Sequence, residues 1–193
     1  MTPEQFEEIF EKVKKEPALA SHLRKLILHL AMSGKLTSAA AGDGKIDDLV
    51  AEIEDTRQKL IKSKSIKNNK VVLGDLPDNL PEIPSHWAWS RLGMIGDWGS
   101  GSTPKRGETA YYGGDYIWLK SGELKDNKNI NFSEEKVTAK AIAECSFRMN
   151  QPGDILIAMY GATIGSIGIL GKEAVTNQAV CGCSPFEGIN NYF

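Results

Sequence analysis

The stretch Gln151–Val180, QPGDILIAMYGATIGSIGILGKEAVTNQAV, decides the fold. It holds an apolar run, Ile155–Met159, then four spaced glycines, Gly161, Gly165, Gly168 and Gly171, then a second apolar run that ends in Thr176-Asn177-Gln178. Runs of β-branched residues suit a pleated, buried surface, and glycine relaxes the backbone where a chain bends or is closely approached. The pattern predicts three short strands joined by tight turns. Almost none of its side chains suits catalysis, so the stretch reads as the frame of a recognition domain.

The neighbouring chain extends this β character upstream. Tyr116–Leu119 reads as a strand and Ile155–Ala158 as another, while Trp87, Trp89, Leu92, Ile95 and Trp98 lie among glycines. Within this region only Glu134–Ala143 has the spacing of a helix. Cys181-Gly-Cys183 alternates along an expected strand, which puts both thiols on one side. The chain has three cysteines, Cys145, Cys181 and Cys183, too few for a disulfide framework, and zinc would need two more ligands nearby. The cysteines fit small core residues.

Leu76–Pro84, LPDNLPEIP, has three prolines and marks a boundary, because proline neither continues a helix nor donates to a ladder. The chain before it is helical. Thr2 caps, Pro3 suits a first helical position, and Gln5 completes a capping box ahead of the Phe6, Ile9, Phe10, Val13 face. Pro17 opens a second helix with Leu19, Leu23, Leu26, Ile27 and Leu30 on one face, closed by Gly34 as a left-handed cap. Thr37–Gly44 is a loop. Ile46, Leu49, Val50, Ile53, Leu60 and Ile61 mark a third helix, which fits either a short coiled-coil seam or an amphipathic helix of a helical hairpin. The five lysines of Lys59–Lys70 fit a frayed helix end or linker, or a phosphate-contacting strip. The expected class is therefore α+β. A helical segment spans residues 1–70, a linker 71–84, and a β-rich domain 85–193.

Composition sets outer limits. The 193 residues allow one domain plus an extension or two small domains, and 41% hydrophobic content supports a packed core. Net charge is −2; residues 1–83 carry 13 Lys and Arg against 14 Asp and Glu, and residues 84–193 carry 10 against 11. Any nucleic-acid role must come from local clustering of cations. Met1–Glu16 is too charged for a signal peptide, and no apolar run approaches the ~20 residues of a membrane span. The cytoplasm is the expected compartment.

Catalytic signatures fail in turn. Gly99-Ser-Gly101 lacks the third glycine of a dinucleotide fingerprint, and Gly171-Lys172 is followed by Glu173 where a phosphate loop needs a hydroxyl. No Asn/Asp-Pro-Pro-aromatic tetrad occurs. His22, His29 and His86 are scattered, so no metal set is expected. Asp115, Glu123 and Lys125 imitate a magnesium nuclease pattern, but Gly114 stands where proline is usual and Ser121-Gly122 implies a turn. What remains is the polar loop Gly99–Glu108, GSGSTPKRGE. It fits a solvated hairpin loop or a DNA contact. In the second reading Lys105 and Arg106 reach phosphates, Arg106 alternatively reads guanine, and Ser102 and Thr103 donate to phosphate or base edges. Lys120, Lys125 and Lys128 form a second, weaker cationic group, and Trp118 suits the core better than a stacking platform.

Several of these stretches together resemble the target-recognition domain of type I restriction–modification specificity subunits. They are Trp89-Ser-Arg-Leu92-Gly93, Gly101-Ser-Thr103-Pro104, Tyr112-Gly113-Gly114-Asp115-Tyr-Ile117-Trp118 with Ser121-Gly122, Pro152-Gly153-Asp154-Ile-Leu156, Tyr160-Gly161-Ala-Thr163-Ile164-Gly165, Gly168 and Thr176-Asn177-Gln178. Leu23–Leu28 through Gly34-Lys35-Leu36 resembles the same family's spacer-helix region. The resemblance implies a subunit that binds double-stranded DNA, carries no catalytic residues and holds no cofactor. Each recognition domain would read one half of a bipartite site. The helical faces, here Leu23, Leu26, Ile27, Leu30, Leu49, Ile53 and Leu60, would dock methyltransferase subunits and, through them, restriction subunits; those partners would use S-adenosylmethionine, ATP and magnesium. The family pattern has two recognition domains and this chain has one, ending at Asn190-Asn191-Tyr192-Phe193. The expectation is a fragment shortened at its C-terminus or a natural half-subunit that pairs with itself. A homodimerising helical scaffold without DNA binding is the second reading, and the Asp115 nuclease the third.

Overall fold

The computed structural model describes residues 2–15, 17–40, 42–67, 76–125 and 127–190, and shows an α+β chain with short N-terminal helices ahead of a β-rich region. Lys70, residues 71–75 of the expected linker and the closing 191–193 lie outside the described residues, as do the side chains of Val13 and Lys128. Contacts group the chain into two units, Met1–Asp48 with Gly74–Trp89, and Leu49–Leu73 with Ser90–Phe193. Among the described residues, no helix is long and apolar enough to cross a membrane.

In the first unit, α1 spans Pro3–Lys14 and α2 Pro17–Met32. The capping box closes as its sequence demands: Gln5 N donates to Thr2 Oγ1 at 3.3 Å, and Thr2 N donates to Gln5 Oε1 at 2.9 Å. Gly34 ends α2 at φ +65°, with Lys35 N bonded to Leu30 O at 2.9 Å and Gly34 N to Ala31 O at 3.0 Å, the paired bonds of a Schellman cap. The 76–89 segment turns at Pro84, where Trp87 N reaches Pro84 O at 2.9 Å, and Trp89 Nε1 donates to Pro81 O at 3.1 Å.

The second unit carries α3, Ile46–Lys62, from Leu49 onward. Its Ile53 is buried, so part of the helix's apolar face is used within this chain. Two sheets follow. The larger has five strands, which in spatial order are β1 (Gly96–Ser100), β8 (Val180–Pro185), β5 (Ile155–Ala158), β6 (Ile167–Leu170) and β3 (Asn127–Ile130). All of its pairs are antiparallel except β3 with β6. The smaller sheet sets β2 (Tyr112–Leu119) between β4 (Glu135–Val137), antiparallel, and β7 (Val175–Thr176), parallel.

The strands expected in Gln151–Val180 are β5, β6 and β7. The helix expected over Glu134–Ala143 starts later. Glu135–Val137 instead pair with β2, and Thr138 then caps α4, Ala139–Glu144, by accepting from Ala141 N at 3.2 Å. Val137 is fully buried, and its ladder bonds outweigh the local helical spacing.

Strand β2 is buried on both faces at its end. Ile117 and Leu119 join Leu124, Ile130, Leu156, Ala158, Leu170, Ala174 and Val180 in one core. Trp118 points the other way, against Val137, Ala141 and Val175. This alternation follows from the two-residue strand period, and each fully buried large side chain contributes about 1.5–3 kcal/mol. The loop that follows β1 then passes so close to β7 that only glycine fits at its first position. A Cβ on Gly101 would collide with the Thr176 carbonyl and hydroxyl. Because the obstacle is backbone, Gly101→Ala is expected to destabilise the chain by about 1–3 kcal/mol, read as a lowered midpoint in urea denaturation.

Candidate DNA interface

The polar loop predicted to meet DNA is held by hydrogen bonds to β2, β7, β8 and the turn before β8. Gly101 N donates to Val180 O at 3.1 Å and Ser102 N to Thr176 O at 2.9 Å. Trp118 Nε1 donates to Ser102 O at 3.1 Å, and Tyr112 OH to Pro104 O at 2.7 Å, with Pro104 itself buried. Thr103 Oγ1 donates to Gln178 Oε1, which joins the loop to the Asn177–Ala179 turn. Loop residues therefore emerge from a fixed backbone, with Thr103, Lys105, Arg106 and Gln178 exposed.

Arg106 and Lys120 share one carboxylate. Arg106 Nη1 and Nη2 donate to Glu135 Oε2 and Oε1 at 2.6 and 3.3 Å, while the guanidinium lies 5.0 Å from the Tyr112 ring centre and 5.1 Å from that of Trp118. Lys120 Nζ donates to Glu135 Oε1 and Glu134 Oε2, each at 3.1 Å. Hydrogen bonds from Arg106 and then Lys120 hold the Glu135 carboxyl below its ordinary range, and the same contacts raise both cations. The pairing of Trp118 with Glu135 across β2 and β4 is what brings the carboxylate to Arg106. Lys105 is exposed and forms no ion pair among the described residues. Lys125 sits at a left-handed position, φ 45°, beyond the Ser121–Glu123 turn, and the Lys128 side chain is outside the described residues.

Glu123 has a structural role. Its Oε2 accepts from Lys120 N at 2.8 Å and its Oε1 from Glu134 N at 2.7 Å, so both oxygens tie loops together. Among the described residues, no three His, Cys, Asp or Glu side chains gather as a metal site. Burial and the nearby Asp154 push the Cys183 thiol up to about 12, and burial raises Cys181, so neither is a thiolate near neutral pH.

A second polar cluster escaped the sequence reading. Arg148 bonds Asp97 through Nη1 and also through the Asp97 carbonyl at 3.0 Å, Ser184 Oγ at 2.8 Å and Asn150 Oδ1 at 3.1 Å. Ser184 Oγ donates onward to Asp154 Oδ2 at 2.8 Å, which also accepts from Gln151 N at 3.0 Å. Burial raises the Asp154 carboxyl, with the Gln151 and Ser184 bonds opposing. The only sequence signal was a polar Arg148, Asn150 and Asp154 among strand-forming neighbours; Asp97 lies 51 positions away from Arg148.

The helical candidates divide. Leu26 and Ile27 are 51% and 54% exposed, Leu49 is exposed, and Leu23, Leu30 and Leu60 are half-buried. Ile53 is buried within its own unit.

The type I restriction modification DNA specificity domain profile matches residues 84–193. The chain belongs to this family. It is 33% identical over 113 residues to the type I restriction enzyme MjaIX specificity subunit of Methanocaldococcus jannaschii, a match covering 58% of this chain and 26% of that protein. With the EcoEI specificity subunit of Escherichia coli it shares 35% identity over 74 residues, covering 38% and 12%, and with the EcoAI specificity subunit 32% over 89 residues, covering 46% and 15%. The chain thus spans about a quarter or less of the length of these relatives. Among solved structures, a chain from a study of type I R-M system assembly and conformational transition aligns over all of this chain and 40% of its own length, at TM-score 0.44 and 19% identity. The HsdS subunit from Thermoanaerobacter tengcongensis aligns over 75% of this chain and 33% of its own, at TM-score 0.46 and 18% identity.

Two outcomes follow from the site's geometry. Arg148→Lys removes the planar fork that serves Asp97, Ser184 and Asn150 together, and should cost about 1–3 kcal/mol in urea denaturation. Because the Glu135 carboxyl is held low, its contribution to stability is complete above the ordinary Glu range and is lost as pH falls through the lowered value. Acid titration should show that loss in the parent chain and its absence in Glu135→Gln.

Proposed function

We propose that this chain is the sequence-specific DNA-recognition part of a type I restriction–modification complex, with residues 85–193 reading one half of a bipartite site. The observation that carries this reading is the match of residues 84–193 to the DNA specificity domain family. In this reading residues 1–70 form the interaction segment and 71–84 the linker. The α2 face at Leu23, Leu26, Ile27 and Leu30 and, on α3, Leu49 and Leu60 dock methyltransferase subunits, and restriction subunits join through them. Ile53, buried within its own unit, supports the α3 face. The chain itself contributes no catalytic group and no cofactor, and it works in the cytoplasm, where its DNA would lie.

Chemistry divides the DNA-facing set. Lys105 is available for a phosphate, with Ser102, Thr103, Lys125 and Lys128 as further donors. Arg106 and Lys120 reach DNA by exchanging Glu135 for a phosphate or, for Arg106, a guanine edge. For Arg106 such an exchange trades the carboxylate for another partner that accepts two parallel hydrogen bonds, so the guanidinium keeps its place beside the Tyr112 and Trp118 rings. A second copy of the chain could supply the other half-site in a paired half-subunit.

The test is a salt series of fluorescence-anisotropy titrations with the chain, with and without modification subunits, on a random bipartite-site duplex library. Lys105→Ala should weaken binding across sequences and reduce the slope of log K against log salt by about 1. Glu135→Gln should strengthen binding severalfold at low salt, because it removes a competing anion. No DNA binding in the presence of modification subunits would overturn the reading in favour of a DNA-independent scaffold.

A further inference from the structure

The hairpin that joins β5 to β6 has an unexplained apolar tip. Its backbone is closed by Ala158 N to Ser166 O and Gly165 N to Ala158 O, both 2.9 Å, Ser166 N to Thr163 O at 3.0 Å, and Ile164 N to Gly161 O at 3.2 Å. Gly161 and Gly165 take φ of +86° and +83°, which other residues rarely adopt, so the turn depends on them. On this closed loop Tyr160 is 48% exposed and Ile164 69%, with Met159 and Ile167 also exposed at its base.

Hydrogen bonds tie this tip to the polar loop. Met159 N donates to Ala179 O at 2.8 Å, and Ala179 N to Asn177 Oδ1 at 3.1 Å. Asn177 N in turn donates to Leu119 O at 2.9 Å, next to Lys120, while Gln178 holds Thr103, two residues before Lys105. The apolar tip, the Thr103–Gln178 pair and the cations Lys105, Arg106 and Lys120 are thus carried by four connecting segments that these hydrogen bonds link, after β1, after β2, between β5 and β6, and between β7 and β8.

We propose that Tyr160 and Ile164 form an apolar wedge that enters the groove of duplex DNA against a base step while the neighbouring cations hold the phosphates. The proposal rests on the DNA-recognition reading and extends it to a contact that no cation makes. Size favours DNA over a protein occupant. A stable protein interface needs about 800 Å² from each partner, far more than a two-residue tip offers, whereas one or two apolar side chains suffice to part a base step. Charge agrees, because the cations beside the tip complement phosphates rather than another apolar surface. The closed loop presents both side chains from a backbone already ordered, which lowers the cost of binding.

A wedge contact and a phosphate contact differ in their salt response, since apolar insertion releases no counterions. The experiment titrates a fluorescent random-sequence duplex with the full chain plus modification subunits at several salt concentrations, and reads duplex bending by energy transfer between end labels. Circular dichroism checks each variant's fold. Tyr160→Ala/Ile164→Ala, and Ile164→Ser as a milder variant, should lower affinity about fivefold to tenfold, leave the salt slope unchanged and reduce the bend. Lys105→Ala should lower the slope instead. A parent chain that binds and variants that bind and bend equally would overturn the wedge alone. Variants that lose modification-subunit capture but keep DNA affinity would also overturn it, by assigning the tip to protein. A parent chain that binds no DNA would overturn the underlying reading and the wedge with it.

Discussion

Strand β2 is the constraint on which the recognition domain depends. Its last residues are buried on both sides, with Ile117 and Leu119 in one core and Trp118 in the other. Removing either core would leave an apolar face of the same strand in water. Trp118 also sends its indole N–H to the Ser102 carbonyl, so the strand that joins the cores fixes the polar loop. Because Trp118 pairs with Glu135 across the ladder, the same residue sets where the carboxylate for Arg106 stands. Core packing and the charge pattern of the candidate interface are therefore one arrangement.

The polar clusters divide the work. Arg148 bonds Asp97, Ser184 and Asn150, and Ser184 bonds Asp154, a half-buried to buried network that joins β1 and β8 to the segment that enters β5. Such a network is costly to break, because each member left alone is a desolvated polar group. Around Glu135 the same kinds of groups lie near solvent, where ion pairs exchange with ligands at little cost. Burial, rather than residue type, distinguishes the Arg148 network from the more exposed charges around Glu135. Glu123 belongs with the structural set despite standing beside cations, since both its oxygens accept backbone N–H bonds.

Much of the chain was legible from its sequence because the signals are local. The capping box at Thr2 and Gln5, the Gly34 cap, strand Ile155–Ala158 and the glycine turns around Tyr160 each depend on neighbours within a few residues. Family resemblance was legible for the same reason, as it runs through glycines and apolar frame positions. Strand β4 was not, since Glu134–Ala143 reads locally as a helix and Glu135–Val137 becomes a strand only when β2 offers it a ladder. Neither were Asp97 and Ser184 as partners of Arg148, because separations of 51 and 36 residues leave no local trace.

The order of residues was enough to establish a helical start, a β-rich recognition frame and a loop rich in cations and hydroxyls. Periodicity, proline placement and glycine spacing are properties of the chain taken a few residues at a time. Which cations stand free, which share Glu135, and which apolar side chains remain in water came from folding alone. Those outcomes depend on distant strands being set side by side: Arg106 meets Glu135 across 29 positions, and Thr103 meets Gln178 across 75. Electrostatic and steric contacts of that range are fixed by sheet register and burial, and no local pattern encodes either.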